Sequence, residues 1–337
     1  MKSSTAPEPT AWQELLEIAL AARAHELSGL GTGGLRLFNG FLEGWPALSV
    51  EVFAHTLVIY DYAQPPLADP LIRQIQIFYQ TQLSFIQCVI LKTRRTAEKR
   101  GRVIFGSQPA TRLTENGVHY ALNLHLNQDA GFYLDTRQLR VWLKENAANK
   151  TILNTFAYTG SLGVAARAGG AAQVIHTDRH KNFLSLAKDS YRLNNWPVEM
   201  ADFMVGDFFS VVARLKRTGP LFDGVILDPP YFSTTAKGRV DLTESVRLIN
   251  KVRPLIADGG WLVAVNNALF VSGAEYVRAL ETVCADGYLS IEQFIPAPPD
   301  CAGYPATVRR ARPTNPAPFN HSTKIALLRV RRKLKMG

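Results

Sequence analysis

Apolar positions change their spacing several times along the chain, and each change marks an element. Trp12, Leu15, Leu16, Ala19 and Leu20 form a helical stripe, opened by a capping box of Thr10 and Gln13. Residues 1–9 are polar and carry prolines, the pattern of a frayed tail. The helix should stop near Ser28–Gly29. Gly29, Gly31, Gly33 and Gly34 then suggest a phosphate loop, but no strand precedes them and no helical pattern follows, so they are expected to be a flexible connection. From Leu35 to Tyr62 the runs LRLF, LSVEVF and LVIYDYA alternate with turns and predict a small antiparallel β unit. Asp69 to Leu91 reads as an amphipathic helix running into the strand CVILK, and VIFG follows as another strand. A strand pair at HYALNLHL leads through Asn127–Arg137 to a helix at RQLRVWLKENA.

From Thr151 onward short apolar strands alternate with helical segments. The strands are TILNTFA, AQVIHTD, MADFMVG, FDGVILD, WLVAVNN, LSIEQFI and KIALLRV. Such alternation implies a parallel sheet with helices on both faces. No helix separates the last two strands. Their connection is Pro-rich and basic, which suits a final strand inserted antiparallel. The domains expected are 1–34 (helix and linker), 35–110 (small β-rich unit with an RNA-binding role open to it) and 111–337 (α/β domain).

Composition narrows the class. The chain has 337 residues, 47% hydrophobic and 20% charged, as expected of ordinary globular domains. Thirty-eight Lys and Arg face 28 Asp and Glu, a net charge of +10. Nine of the basic residues lie between Cys301 and Gly337 with no acid among them, so the rest of the chain nets only +1. A second cluster runs from Lys92 to Arg102. Both are candidate contacts to RNA phosphates, with a solvated connector as the plain alternative for Lys92–Arg102. Three cysteines, Cys88, Cys284 and Cys301, are too few for a disulfide framework or a zinc site. The longest uncharged apolar stretch, Gly259–Ala274, falls short of a membrane span, and no signal peptide is visible. A cytoplasmic protein is expected, with no membrane partner.

Four strand ends carry groups with chemical potential. Asn154 to Gly163 spans the end of the first α/β strand and the start of a helix. Small residues there admit a ligand to backbone N–H groups, although the spacing is not that of a nicotinamide site. Asp178 closes the second strand, where an acid typically accepts ribose hydroxyls. Asp207 follows the third and could accept from an adenine amino group. Together the three describe an adenosine without a required pyrophosphate. Asp228, Pro229, Pro230 and Tyr231 end the fourth strand. The prolines remove N–H groups and leave carbonyl acceptors, and Tyr231 offers a stacking face, which suits a planar base. His176 and His180 straddle Asp178 at a strand end, and no metal site is expected.

This combination resembles the class I S-adenosylmethionine-dependent methyltransferases, and more closely the bacterial large-subunit rRNA group with its 23S cytosine-C5 and guanine-N7 enzymes. DAGFYLDTR (Asp129–Arg137), LNTFAYTGSLGVAA (Leu153–Ala166), DPPYFS (Asp228–Ser233) and Asn266–Asn267 carry the resemblance. It implies a seven-stranded Rossmann-like methyltransferase sheet with its last strand antiparallel, preceded by a small α+β N-terminal domain. It further implies that Phe156, Ala157, Tyr158, Thr159 and Gly160 wrap the methionine part of S-adenosylmethionine, with Asn154 and Gly163 in the same motif. Asp178 would hold the ribose and Asp207 the adenine. Phe132, Asp135 and Arg137 would close the cofactor pocket, and Asp228 to Tyr231 would face the methyl group and target base. Asn154 stands where many class I enzymes carry an acid.

Methyl transfer from a sulfonium needs positioning and desolvation rather than a metal. Carbon-5 methylation of cytosine needs a cysteine thiolate, and no cysteine neighbours DPPYFS or Asn266–Asn267. The reading is therefore methylation of a base nitrogen, guanine-N7-like, in RNA: 23S rRNA or a ribosomal precursor. A small-molecule or protein methyltransferase, an rRNA cytosine-C5 enzyme and a non-catalytic RNA-binding module are the alternatives. A homodimer stays open.

Overall fold

Every residue of LSVEVF is buried, and so is every residue of the strand after it, so neither face of these strands meets solvent. In the computed structural model, which describes residues 11–94, 96, 100–219, 221–230 and 242–332, they lie in a five-stranded sheet. Its order is β1 (Gly34–Asn39), β2 (Leu48–Phe53), β3 (Thr56–Asp61), β4 (Cys88–Thr93) and β5 (Arg102–Phe105). Helix α1 (Ala11–Ala22) buries the predicted stripe from Trp12 to Leu20. Thr10 lies outside the described residues. Helix α2 (Asp69–Gln82) buries Ile72, Ile75 and Tyr79, one face at helical spacing.

β1, β2 and β3, the span expected as an antiparallel unit, pair antiparallel, but the sheet continues beyond them as a mixed one. β3 and β4 pair in parallel, in register from Thr56↔Cys88 to Asp61↔Thr93. The reason is α2, which returns the chain to the end of the sheet from which β3 started, as a parallel crossover requires. The glycine-rich connection is also structured. Leu30–Thr32 forms a 3-10 turn around buried Leu30, Gly34 opens β1, and Ala54 N donates to Gly33 O at 2.6 Å. A hairpin of β6 (Arg112–Glu115) and β7 (Val118–Ala121) turns at Asn116–Gly117, both at positive φ as such a tight turn demands.

The chain divides into two compact units: Met1–Leu134 with Pro298–Arg312, and Asp135–Ala297 with Pro313–Gly337. The sequence boundary at 110/111 missed both the hairpin and the returning segment. Hydrogen bonds explain why Pro298–Arg312 belongs to the first unit. Arg36 N donates to Asp300 Oδ2, Asn39 Nδ2 to Cys301 O, and Thr307 Oγ1 to Glu43 Oε1 at 2.6 Å. Glu43 also takes both guanidinium branches of Arg23 at 2.9 and 3.0 Å, and the two side chains are almost wholly buried. A buried ion pair persists only when its remaining bonding capacity is met. Here Asn39 N, Ala19 O and Arg36 O meet it.

The second unit holds a seven-stranded sheet of β8 (Thr151–Thr155), β9 (Gln173–Asp178), β10 (Phe203–Val205), β11 (Phe222–Leu227), β12 (Ile256–Asn266), β13 (Leu289–Ile295) and β14 (Lys324–Val330). The order is β10-β9-β8-β11-β12-β14-β13, parallel except for β14, which runs antiparallel to both neighbours. Among the described residues six helices accompany the sheet: α3 (Arg137–Asn146), α4 (Ser161–Ala168), α5 (Lys181–Leu193), α6 (Phe208–Thr218), α7 (Leu242–Val252) and α8 (Gly273–Cys284). Adjacent strand residues point to opposite faces and so serve different cores. Leu153, Val225 and Leu262 pack with α6, α7 and α8, whereas Ile152, Ile226 and Val263 pack with α3 and α4. The chain winds outward from β8 to β9 and β10, then starts again at β11 and β12. This reversal places a topological switch point at the carboxyl ends of β8 and β11, the position at which open α/β sheets bind ligands in a crevice.

Candidate active site

Phe156 and Tyr158, just beyond β8, both take φ of 51°, and Gly160 follows at 83°. Non-glycine residues rarely adopt this conformation, and it persists only where the surroundings over-determine it. Three backbone bonds do so: Ala157 N to Thr177 O at 2.9 Å, Tyr158 N to Asp178 Oδ2 at 3.0 Å, and Gly160 N to Ala157 O at 2.8 Å. Gly160 cannot be replaced without cost, since a Cβ there would lie 2.4 Å from that of Ala187. No side chain caps α4 at Gly160. The first N–H groups of that helix, which lack intrahelical partners, are therefore suited to an anionic ligand group.

Asp178 ends β9 half-buried, with Oδ2 on Tyr158 N and Oδ1 on His180 N at 2.9 Å. These bonds fix the carboxylate and leave lone pairs for hydroxyl donors. Tyr158, Phe183 and His180 gather beside it, with ring centroids 4.6 and 4.9 Å apart. Asp207 is exposed and caps α6, Oδ1 accepting from Phe209 N and Ser210 N. Asp207→Ala should therefore cost about 1 kcal/mol of stability as well as any ligand contact. A urea titration of this variant beside Asp207→Asn, which can still cap, checks the separation.

Two residues of the first motif turn away from the crevice. Asn154 is buried, its amide 3.4 Å from His176 Nδ1, and His176 Nε2 lies 3.2 Å from the Tyr191 hydroxyl. Burial drives the imidazole pKa down to about 3, so His176 is a neutral core residue stacked on Phe203. Gly163 presses against the same ring, a Cβ there falling 2.4 Å from His176 Cε1. Its small size serves packing. Thr159 and Ala157 are buried, and the Phe156 ring stacks on Phe208 at 4.7 Å. Among the described residues no group of His, Cys, Asp or Glu could hold a metal ion.

Asp228, Pro229 and Pro230 leave β11 at the crevice, whereas Tyr231 lies outside the described residues. Burial, with the charge of Asp135 as a second cause, raises the Asp228 carboxyl to about pH 7. Asp135 accepts from Thr323 Oγ1 at 2.6 Å, and Arg137 opens α3. Phe132 belongs to the N-terminal unit, buried against Tyr120 at 5.1 Å. Asn266 is buried and accepts from Ala268 N, while Asn267 is exposed. Sequence reasoning missed Thr323 and counted Lys324 only among the basic residues offered to phosphates. The usable signal was the reversed strand, since β14 begins at the edge where β11 and β12 end.

Part of the basic excess is absorbed into structure, and Lys333 and Lys335 lie outside the described residues. Lys324 is fully buried, donating to Ala268 O and Ser322 O, and burial lowers its pKa to about 8. Arg329 pairs with Glu292, Arg312 donates to Ala302 O, and Arg332 Nη1 to Ile256 O. Arg309, Arg310 and Arg331 are exposed. Lys92 was expected near phosphates but is buried on three carbonyls, those of Arg100, Asn127 and Asp129. Arg94 pairs with Asp129 and Arg102 with Asp69. Arg95 and Lys99 lie outside the described residues.

A family model of S-adenosylmethionine-dependent methyltransferases matches residues 76–305. The chain belongs to this family. It is thus a methyltransferase enzyme that uses S-adenosylmethionine, and the residues at the crevice suit that group: an uncapped helix start for a carboxylate and fixed acids for hydroxyl and amino donors. A Photobacterium profundum protein named ribosomal RNA large subunit methyltransferase I is 27% identical over 79% of this chain and 68% of its own length. A Yersinia pseudotuberculosis protein of the same name is 28% identical over 82% and 72%. Among solved structures, a Streptococcus mutans protein provisionally designated a methyltransferase superposes with a TM-score of 0.82 at 21% identity, covering 97% of this chain and 82% of its own. That last likeness concerns the fold. Among the described residues no helix is long and apolar enough to cross a membrane.

Proposed function

We propose that this methyltransferase modifies a base nitrogen in RNA of the large ribosomal subunit, guanine-N7-like, by direct in-line displacement. The observation that carries the reading is the Asp228–Pro229–Pro230 turn at the end of β11. It presents a carboxyl group and carbonyl acceptors at the sheet's crevice, next to the strand end bearing Asn266–Asn267. The two relatives named as large-subunit rRNA methyltransferases support RNA as the substrate.

S-adenosylmethionine supplies an electrophilic methyl group on a sulfonium centre. The chain's own residues then have four tasks. The N–H groups at the start of α4 hold the methionine carboxylate, and the loop from Phe156 to Gly160 shapes the wall around it. Asp178 accepts from the ribose hydroxyls and Asp207 from the adenine amino group. Asp135 and Arg137 flank the pocket from the start of α3. Asp228, when ionised, accepts from the paired N–H groups on a guanine edge and fixes the ring while a ring nitrogen attacks. A ring nitrogen such as N7 carries no proton, so no general base is needed.

The cysteines argue against cytosine-C5 chemistry. Cys88 and Cys301 are buried in the N-terminal unit, and Cys284 sits at the far end of α8 from the crevice. Burial raises the pKa of Cys88 and of Cys284, away from the thiolate that addition to a ring carbon requires. The substrate class is tested by tritium transfer from labelled S-adenosylmethionine into an extract of cells lacking the gene. Label should enter ribosomal RNA and vanish with ribonuclease; label confined to protein or small molecules would overturn the RNA reading.

A further inference from the structure

The chain leaves β12 at the crevice edge and reaches α8 through a short loop that is fixed on several sides. Ala268 N donates to Asn266 Oδ1 and Val271 N to Ala268 O. Lys324 Nζ donates to Ala268 O at 3.0 Å and Thr314 Oγ1 to Leu269 O at 2.6 Å. Ser272 and Glu275 close a reciprocal capping box, and Gly273 N donates to Asn315 O. Backbone meets backbone there, for a Cβ on Gly273 would lie 1.9 Å from Pro316 O.

Within this rigid frame the side chains divide. Ala268 and Val271 turn inward and are buried, whereas Leu269 is 45% and Phe270 58% exposed. Two adjacent large apolar side chains held out to solvent by an ordered loop offer a surface for contact. Because the loop is fixed beforehand, little ordering entropy is lost on binding. Its place identifies the occupant. β11 and β12 pair in parallel up to Leu227↔Ala264, so Asp228 and the Asn266–Phe270 loop leave the sheet side by side. An aromatic face next to carbonyl and carboxylate acceptors matches a nucleobase, which has a π-face as well as N–H groups.

We propose that Phe270, flanked by Leu269, is a stacking platform for an unpaired nucleobase of the RNA substrate. The proposal rests on the RNA reading above.

The test is fluorescence anisotropy of the full chain, saturated with S-adenosylhomocysteine, against a labelled single-stranded oligoadenylate and an RNA duplex of equal length. Phe270→Ala should weaken single-strand binding about tenfold. Phe270→Tyr should bind it as the wild type does, and duplex binding and S-adenosylhomocysteine affinity should not change in either variant. Wild-type single-strand binding that survives undiminished in Phe270→Ala overturns the platform alone. A wild type that binds neither RNA overturns the RNA reading and the platform with it.

Discussion

Asp228→Asn should lower kcat/KM for methyl transfer by about 100-fold or more while leaving S-adenosylmethionine affinity within about threefold. An amide keeps the size of the carboxyl but loses one acceptor and the negative charge, and removing one well-aimed polar group from a dry site typically costs about 100- to 1,000-fold in rate. The same residue should give the wild type its pH dependence. Burial, then the charge of Asp135, raises the Asp228 carboxyl to about pH 7, and only the ionised form accepts two N–H bonds. kcat/KM, which reports ionisations of the free enzyme, should therefore rise as pH increases through about 7 and level off above it. Asp228→Asn should lose that limb. A variant that turns over normally, or a wild-type profile flat across this range, would remove Asp228 from the reaction.

Asp178→Ala should weaken S-adenosylhomocysteine binding by about 100-fold or more, measured by calorimetry. Two effects combine. The ribose hydroxyls lose charged acceptors, worth roughly 1.5–3 kcal/mol for each hydrogen bond to a charged group. The left-handed loop also loses an anchor, because Tyr158 N and His180 N both end on this carboxylate. Asp178→Asn, which retains one acceptor oxygen, should fall between the two. A loss smaller than about threefold for the alanine variant would place the ribose elsewhere.

The residues explain which parts of this molecule could be read from its sequence. The α/β strands were legible because most are apolar runs ended by an acid, a small residue or a proline, and that punctuation survives without tertiary information. Asp178 and Asp228 stood out for this reason, and both lie at the crevice. Asn154 and Gly163 stood in the same motif, yet they pack on His176. A spacing pattern records that small or polar groups recur but not which way they face. The charge pattern misled more. Lys92 and Lys324 look like phosphate contacts in a list of basic residues, but their ammonium groups are buried on carbonyl oxygens supplied from elsewhere in the chain. Two of the three partners of Lys92 lie 35 and 37 residues away, and the Ala268 partner of Lys324 lies 56 away. Nothing local signals such contacts. The return of Pro298–Arg312 to the N-terminal unit was hidden for the same reason, since Arg36, Asn39 and Glu43 receive it across more than 260 positions. Thr323 was passed over because a lone threonine before a strand carries no pattern; only the reversal of β14 brings it to Asp135.

The central claim is methyl transfer to a base nitrogen of ribosomal RNA. Its most direct test is nucleoside mass spectrometry of large-subunit rRNA, taken from cells lacking the gene and incubated with the purified protein and S-adenosylmethionine. The predicted result is a new 7-methylguanosine that is absent when Asp228→Asn replaces the wild type. A new 5-methylcytidine, or no new methylated nucleoside in rRNA, would contradict it.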